Sequence, residues 1–144
     1  MSKVKLELSQ GEYQKLIEMA YLGNWLVNAH RNEEIKEYSD LEKKIFSNYK
    51  EAGMEDEVNH YPDLDDMYEF ENSYEEKLHT YIKDYEDYNF WEELTYRLAN
   101  RDLLRELGPV GKLQNKDIER RLELAEKYED EFVKNGLKNV KVGK

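Results

Sequence analysis

The apolar and polar positions along the chain predict a fold built from helices. Between residues 13 and 30, apolar side chains cover most of a helical circumference, a pattern typical of a helix buried among several neighbours. Ser9 and Glu12 have the spacing of a capping box, which satisfies the free amides of a first turn. The sequence therefore predicts a buried central helix over residues 13–30. Gly23 in its middle indicates close approach by another helix.

Four further amphipathic segments follow this helix, and each has a recognisable start. Their expected caps are Ser39 (with Glu42 at the reciprocal position), Ser73, Asn89 and Asn115. The first of these segments spans residues 40–52, and Gly108 and Gly136 mark the ends of the last two. We therefore expect an all-α protein: a compact bundle of about five helices forming a single helical domain over residues 1–144.

The two ends and the middle of the chain do not have helical spacing. Residues 4–8 alternate apolar and charged side chains, and Val140 and Val142 repeat the alternation in the tail 137–144. This pattern allows a small two-stranded pairing of the termini. The alternative is that both ends are extended and frayed. Residues 55–72 read as an acidic irregular loop, with a turn at Tyr61-Pro62.

The charge of the chain is concentrated in one segment. The net charge is −11, and residues 55–93 contain 15 acidic side chains but only two lysines. A surface of this sign repels the phosphate backbone, so we expect no direct binding of nucleic acid. The absence of cysteine excludes disulfides, thiolate metal sites and cysteine nucleophiles.

No segment has the features of a targeting signal, a membrane anchor or a metal site. The N-terminal residues include no apolar core of a signal peptide, so we expect a cytoplasmic protein without a membrane partner. The three histidines lack metal-ligand spacing. Asp63 resembles the start of a calcium loop, but the glycine and the bidentate glutamate are missing. We expect no metal, no cofactor and no catalytic residue; the oligomeric state is left open.

One candidate site is a polar pocket between helices 13–30 and 90–107. Two lines of polar side chains interrupt these apolar helices: Asn24, Asn28 and Arg31 on the first, and Arg97, Arg101 and Asp102 on the second. By helical projection, Arg97 and Arg101 fall on the core-facing arc, where a charge needs a partner or a ligand. Arginine forks suit a carboxylate or phosphate, so we expect a small anionic ligand. The alternative is a closed internal network, with Glu93 pairing Arg97.

The second candidate is an acidic, tyrosine-rich surface for a basic protein partner. Its expected contact residues are Asp63, Asp65, Asp66, Tyr68, Glu69, Glu71 and Tyr88. Exposed tyrosines among carboxylates are suited to a basic interface. The leading functional prediction is therefore a non-enzymatic interaction or adaptor protein. The alternative function is a binding protein, or less readily an enzyme, for a small anionic ligand in the polar pocket between helices 13–30 and 90–107. The alternative is a solvated face that keeps the protein soluble.

Overall fold

A computed structural model describes residues 2–109 and 111–143. These residues form four helices and one hairpin: α1 (Gln10–Asn28), α2 (Lys36–Phe46), β1 (Val58–Tyr61), β2 (Met67–Phe70), α3 (Asn72–Leu107) and α4 (Asn115–Asn135). The predicted helical class is confirmed, whereas the predicted five helices and the bundle are not confirmed. The chain divides into two compact units, Met1–Ile82 (unit 1) and Lys83–Lys144 (unit 2). The single-domain expectation stays a prediction.

Helix α1 begins as its sequence predicts but is not buried on all sides. The Ser9 hydroxyl accepts from the Glu12 amide at 3.2 Å, and the Glu12 carboxylate accepts from the Ser9 amide at 2.8 Å. Only Ile17 and Glu18 of the helix are buried, while Met19 and Leu26 are more than half exposed. The prediction of a buried central helix is therefore wrong. Most of its other apolar residues are half-buried, including Tyr13, Tyr21 and Trp25, which tolerate partial exposure because one end of each is polar.

The expectation for Gly23 is also wrong. A Cβ at this position would meet no atom within 4 Å. The glycine is exposed, so no neighbouring helix requires it.

Helix α2 starts earlier than predicted because an asparagine, and not Ser39, organises its first turn. The Asn28 side chain accepts from the Ile35 amide at 2.8 Å and donates to the Ile35 carbonyl at 3.3 Å. Ile35 is the residue before the helix. The helix ends at Phe46, and turns continue to Gly53, which has the positive φ of 67°. Residues 40–52 are thus only partly α-helical.

The segment 55–72, expected to be an irregular loop, contains an antiparallel hairpin. Strands β1 and β2 pair from Val58↔Phe70 to Tyr61↔Met67. The predicted turn after Tyr61 is correct, and Asp65 and Asp66 adopt positive φ there, a conformation that aspartate tolerates better than most residues. Val58 and Phe70 are buried. The sequence does not predict the strands because each has only four residues and only one of them, Val58 or Phe70, is buried.

The core of unit 1 joins α1, α2, the hairpin and the first turns of α3. Its buried members are Ile17, Phe46, Tyr49, Met54, Val58, Phe70 and Leu78. Phe70 lies 4.8 Å from Phe46 and 5.4 Å from Tyr21, measured between ring centroids. Aromatic packing therefore fixes the hairpin against the two helices.

Helix α3 is continuous through Asn89, where a boundary between two helices was expected. No glycine or proline lies between residues 72 and 107, and a potential cap does not interrupt a helix that can continue through it. The predicted stop at Gly108 is correct, with φ of 70°. Helix α4 begins at Asn115, and its cap is Gln114, one residue before the expected cap. The helix ends at Asn135, before Gly136, as predicted.

The core of unit 2 lies between α3 and α4. It consists of Ala99 and Leu103 from α3, with Leu124 and Ala125 from α4. At its edge the Arg120 guanidinium donates to both oxygens of Glu106, at 3.0 and 2.8 Å.

The predicted pairing of the two ends does not form among the described residues. Residues 2–9 and 140–143 have no strand partner, and Val4 and Val142 are almost fully exposed. The prediction of these strands was based only on the alternation of apolar and charged residues. Because the valines are exposed, no apolar surface stabilises a pair of strands here. None of the helices in the described part of the chain is long and apolar enough to cross a bilayer.

Candidate functional site

Helices α3 and α4 leave an open groove with an apolar floor, which we call the α3–α4 groove. Its volume is about 570 Å³. Trp91 and Phe132 form part of the floor, with ring centroids 5.5 Å apart. At the edges, Tyr88 is 63% exposed and Val133 is 80% exposed. A groove of this kind exposes aromatic surface that the unit itself does not cover.

The rim of the α3–α4 groove is acidic. Glu92 comes from α3, and Glu126 and Glu129 come from α4. All the residues that line the groove belong to the described part of the chain, and they include no lysine, arginine or histidine. Carboxylates beside an apolar surface produce a local negative potential. The groove is therefore complementary to a ligand that is both apolar and cationic.

Tyr88 is the only one of the seven predicted partner-binding residues that lines this groove. The other six lie on or beside the hairpin of unit 1, whereas Tyr88 belongs to unit 2. Sequence reasoning missed the acidic rim on α4 because it looked for charge only in the segment 55–93. The available signal was the pair Glu126 and Glu129, three residues apart on one helix face.

Several hairpin residues already have local partners. Asp65 forms an ion pair of 3.5 Å with Lys43, and Asp66 lies 3.1 Å from the Nε2 atom of His60. Tyr68 is half-buried, and its ring stacks on His60 at 4.3 Å between centroids. Asp63 and Glu69 remain exposed to solvent.

The Glu71 carboxylate accepts hydrogen bonds at the start of α3. It accepts hydrogen bonds from the amide and hydroxyl of Ser73, and the hydroxyl bond, followed by the amide bond, lowers the pKa of its carboxyl. This carboxylate satisfies donors at a helix N-terminus, where negative charge is favourable. Its position is therefore explained by the fold.

The first polar line of the predicted ligand site is hydrogen-bonded within unit 1. Asn28 donates to the Oδ1 atom of Asn24 at 2.6 Å, and its other contacts position Ile35. The Arg31 Nε donates to the Val27 carbonyl at 2.8 Å, so the guanidinium covers the end of α1. This position of a cation complements the helix dipole.

The second polar line is hydrogen-bonded within unit 2 and is not on a core-facing arc. The side chain of Arg97 is 80% exposed and pairs with Glu93 at 2.9 Å, as the closed-network alternative expected. Arg101 donates to Asp102 at 2.9 Å and to the Tyr128 hydroxyl at 3.1 Å. Tyr128 in turn donates to Asp102, and this bond is the main factor that lowers the pKa of the carboxyl. The anionic-ligand site formed by both lines stays a prediction.

A smaller cavity in unit 1, which we call the Glu42 pocket, was not anticipated from the sequence. It has a volume of about 280 Å³ and lies between α1, α2 and the hairpin. Asn24, Glu42, Phe46, Met67 and Tyr68 are among its lining residues. The sequence predicts that Glu42 forms a helix cap with Ser39, but α2 starts before both residues.

The carboxyl of Glu42 has an unusual electrostatic environment. Burial raises its pKa to about 7, and a hydrogen bond with Asn24 opposes part of this effect. No lysine, arginine or histidine of residues 2–109 and 111–143 forms an ion pair with it. The pocket therefore presents an acid that changes its charge near neutral pH.

A part-buried polar network connects α1 to the start of α3 within unit 1. The Tyr74 hydroxyl donates to Glu18 at 2.6 Å, and the Tyr21 hydroxyl donates to Glu75 at 2.6 Å. Burial tends to raise the pKa of Glu18, but hydrogen bonds from Tyr74 and then Lys15 lower it overall. Each hydroxyl thus has an acceptor, which explains how tyrosines serve as core residues here.

Among the described residues, no group of three or more histidine, aspartate or glutamate side chains is arranged to hold a metal ion. No protein-family model matches the chain, and no curated protein or solved structure matches it either. The two cavities and their charges are therefore the basis for a functional proposal.

Proposed function

We propose that this chain is a non-enzymatic binding protein that holds a basic, amphipathic segment of a protein partner in the α3–α4 groove. The observation that supports the proposal is the composition of the groove: an aromatic floor around Trp91 and Phe132, bordered by three glutamates and no basic residue. Aromatic residues in a concave surface are the usual anchors of protein interfaces. The rim selects for lysine and arginine by charge complementarity.

The partner segment that best fits this groove is a helix with one apolar face. An amphipathic helix places its anchors at positions i, i+3, i+4 and i+7, which insert into a groove between two helices. Lysine or arginine residues beside those anchors reach Glu92 on one side, and Glu126 and Glu129 on the other. Tyr88 supplies an exposed ring with a polar tip at the boundary with solvent.

The acidic hairpin has a supporting role in the proposal. Exposed carboxylates such as Asp63 and Glu69 attract a basic partner over a distance of about one Debye length, roughly 8–10 Å at physiological salt. Such steering changes the association rate more than the dissociation rate. This attraction belongs to unit 1, and the contact that we propose belongs to the groove of unit 2.

A synthetic helix tests the groove directly. The probe is an amphipathic peptide of leucine and lysine, compared with a peptide of the same composition in scrambled order. In a Trp25→Phe variant, Trp91 is the remaining tryptophan and reports on the groove floor. We expect a saturable change of Trp91 emission with the amphipathic peptide and a far weaker response to the scrambled one.

Two charge-reversal variants with the same net charge separate the groove from general acidity. The first replaces the groove glutamates by lysine: Glu92, Glu126 and Glu129. The second replaces three exposed acids of unit 1 by lysine: Glu55, Asp63 and Glu69. We expect the groove variant to bind the amphipathic peptide at least tenfold more weakly, a loss of about 1.4 kcal/mol. The unit 1 variant should lose much less affinity. Equal losses in both, or a loss only in the second, would show that the groove is not the docking site.

A further inference from the structure

The Glu42 pocket combines one acidic side chain with an apolar wall. Phe46 and Met67 supply apolar surface, and Tyr68 supplies an aromatic ring with its hydroxyl. Asn24 from α1 lines the same pocket and forms a hydrogen bond with Glu42. A volume of about 280 Å³ is just below the usual range for small-molecule sites and accommodates a compound with one ring.

The charges around Glu42 leave its carboxyl without a counter-ion. Its neighbour Lys43 donates to the Asp65 carbonyl and lies 3.5 Å from the Asp65 carboxylate. From α1, Glu42 faces the neutral groups Asn24 and Tyr21. On the hairpin side, the pocket is lined by Asp65 and the phenol of Tyr68. The one cation that lines the pocket is thus paired with Asp65.

We propose that the Glu42 pocket binds a small organic cation, a protonated amine carried on a flat apolar body. The ammonium group occupies the position of the missing counter-ion, where it donates to the Glu42 carboxylate. The apolar body lies against Phe46 and Met67, and the ring of Tyr68 contributes a cation–π contact. Lys43 remains bound to Asp65, so it does not compete for the site. This site is independent of the α3–α4 groove, which belongs to the other unit.

Binding of a cation must be coupled to loss of a proton from Glu42. The carboxyl is half protonated near pH 7 in the free protein, because burial raises its pKa. A ligand that requires the ionised form has its apparent affinity reduced by the ionised fraction. With a pKa of about 7, that fraction rises about tenfold between pH 6 and pH 8. We therefore expect affinity to increase about tenfold over this interval, with a proton released on binding.

Three ring compounds that differ only in charge test the proposal: benzylamine, benzyl alcohol and benzoate. Two-dimensional NMR of the full chain reports shifts at Asn24, Phe46, Met67 and Tyr68. We expect benzylamine to produce saturable shifts at these residues, tighter at pH 8 than at pH 6. Benzyl alcohol should bind more weakly and without pH dependence, and benzoate should not bind.

Glu42→Gln is the decisive variant, because glutamine keeps the shape of the acid and removes its charge. Its matched control is Glu37→Gln, which removes an exposed charge from the same helix. We expect Glu42→Gln to lower the affinity for benzylamine at least tenfold and to abolish its pH dependence. Glu37→Gln should change neither the affinity nor its pH dependence. Circular dichroism confirms that both variants are folded. Absence of saturable shifts in the natural chain, or equal affinity in Glu42→Gln, overturns the proposal.

Discussion

Replacing Glu42 by glutamine should stabilise the protein, and increasingly so as the pH rises. The folded-state pKa of this carboxyl is about 7, compared with an ordinary value of 4.5. Folding therefore favours the protonated form. The contribution of that form is fully present below about pH 4.5 and is lost as the pH rises through 7. Above pH 7, the folded protein contains a carboxylate without a cation, which the neutral glutamine side chain avoids.

The size of the effect follows from the pKa difference between the two states. A change from 4.5 to about 7 corresponds to about 3 kcal/mol of stability. Because the carboxyl is half-buried and water reaches the open pocket, solvent screens part of this penalty. We therefore expect Glu42→Gln to be nearly neutral at pH 4.5 and to stabilise the protein by about 1–2 kcal/mol at pH 8.

Urea unfolding at a series of pH values measures this difference. The free energy of unfolding is extrapolated to water for the natural chain and for Glu42→Gln between pH 4.5 and 8. Glu37→Gln serves again as control, since it removes the same charge from an exposed position of α2. Because Glu37 lies in the first turn of α2, its loss should destabilise by less than about 1 kcal/mol, the opposite sign to the effect expected for Glu42→Gln.

Two results would refute this reasoning about Glu42. A stability difference that does not change between pH 4.5 and 8 would mean that the folded and unfolded states titrate alike. Destabilisation by glutamine at every pH would mean that the carboxylate makes a favourable interaction that an amide cannot replace.

Three further substitutions test local features of the fold. Ser9→Ala removes the capping box of α1 and should destabilise by about 1 kcal/mol in chemical denaturation, whereas an unchanged midpoint would argue against the cap. Gly23→Ala meets no neighbouring atom and should stabilise by about 1 kcal/mol; a loss of stability would indicate a close approach. Leu103→Ala should cost about 2–5 kcal/mol because the side chain is buried in the core of unit 2. The substitution should reduce the protection of amides against hydrogen exchange more in α4 than in α1. An equal loss of protection in both helices would indicate one cooperative domain.

The parts of the fold that the sequence predicted are those decided by local backbone chemistry. The capping box at Ser9 and the helix ends at Gly108 and Gly136 depend on a few adjacent residues. The helical class followed from periodicity and from the scarcity of proline and glycine. The apparent cap at Asn89 misled because a capping residue only permits a helix start. Tertiary contacts decide whether the preceding helix stops there.

The hairpin and the two cavities were beyond the reach of local patterns. The hairpin is stabilised by Val58 and Phe70 packing on residues of two helices, a contact that spacing within each strand does not reveal. From the sequence alone, Glu42 has the spacing of a helix cap. Its burial depends on contacts with α1 and the hairpin, which local spacing does not show. The α3–α4 groove needed residues from Tyr88 to Val133 to be brought together. In each case the missing information was the packing partner.

The middle of α3 explains why its charge pattern was hard to interpret. Residues 83–88 are all exposed, between Ile82, which is buried in unit 1, and Ala99 and Leu103, which belong to the core of unit 2. A helix that is polar all round at such a point depends on its flanking turns for stability. The acidic and tyrosine residues of this stretch are thus not required by a core. Tyr88, at its C-terminal end, lines the α3–α4 groove in which we place partner binding, whereas the other five residues of the stretch do not line it.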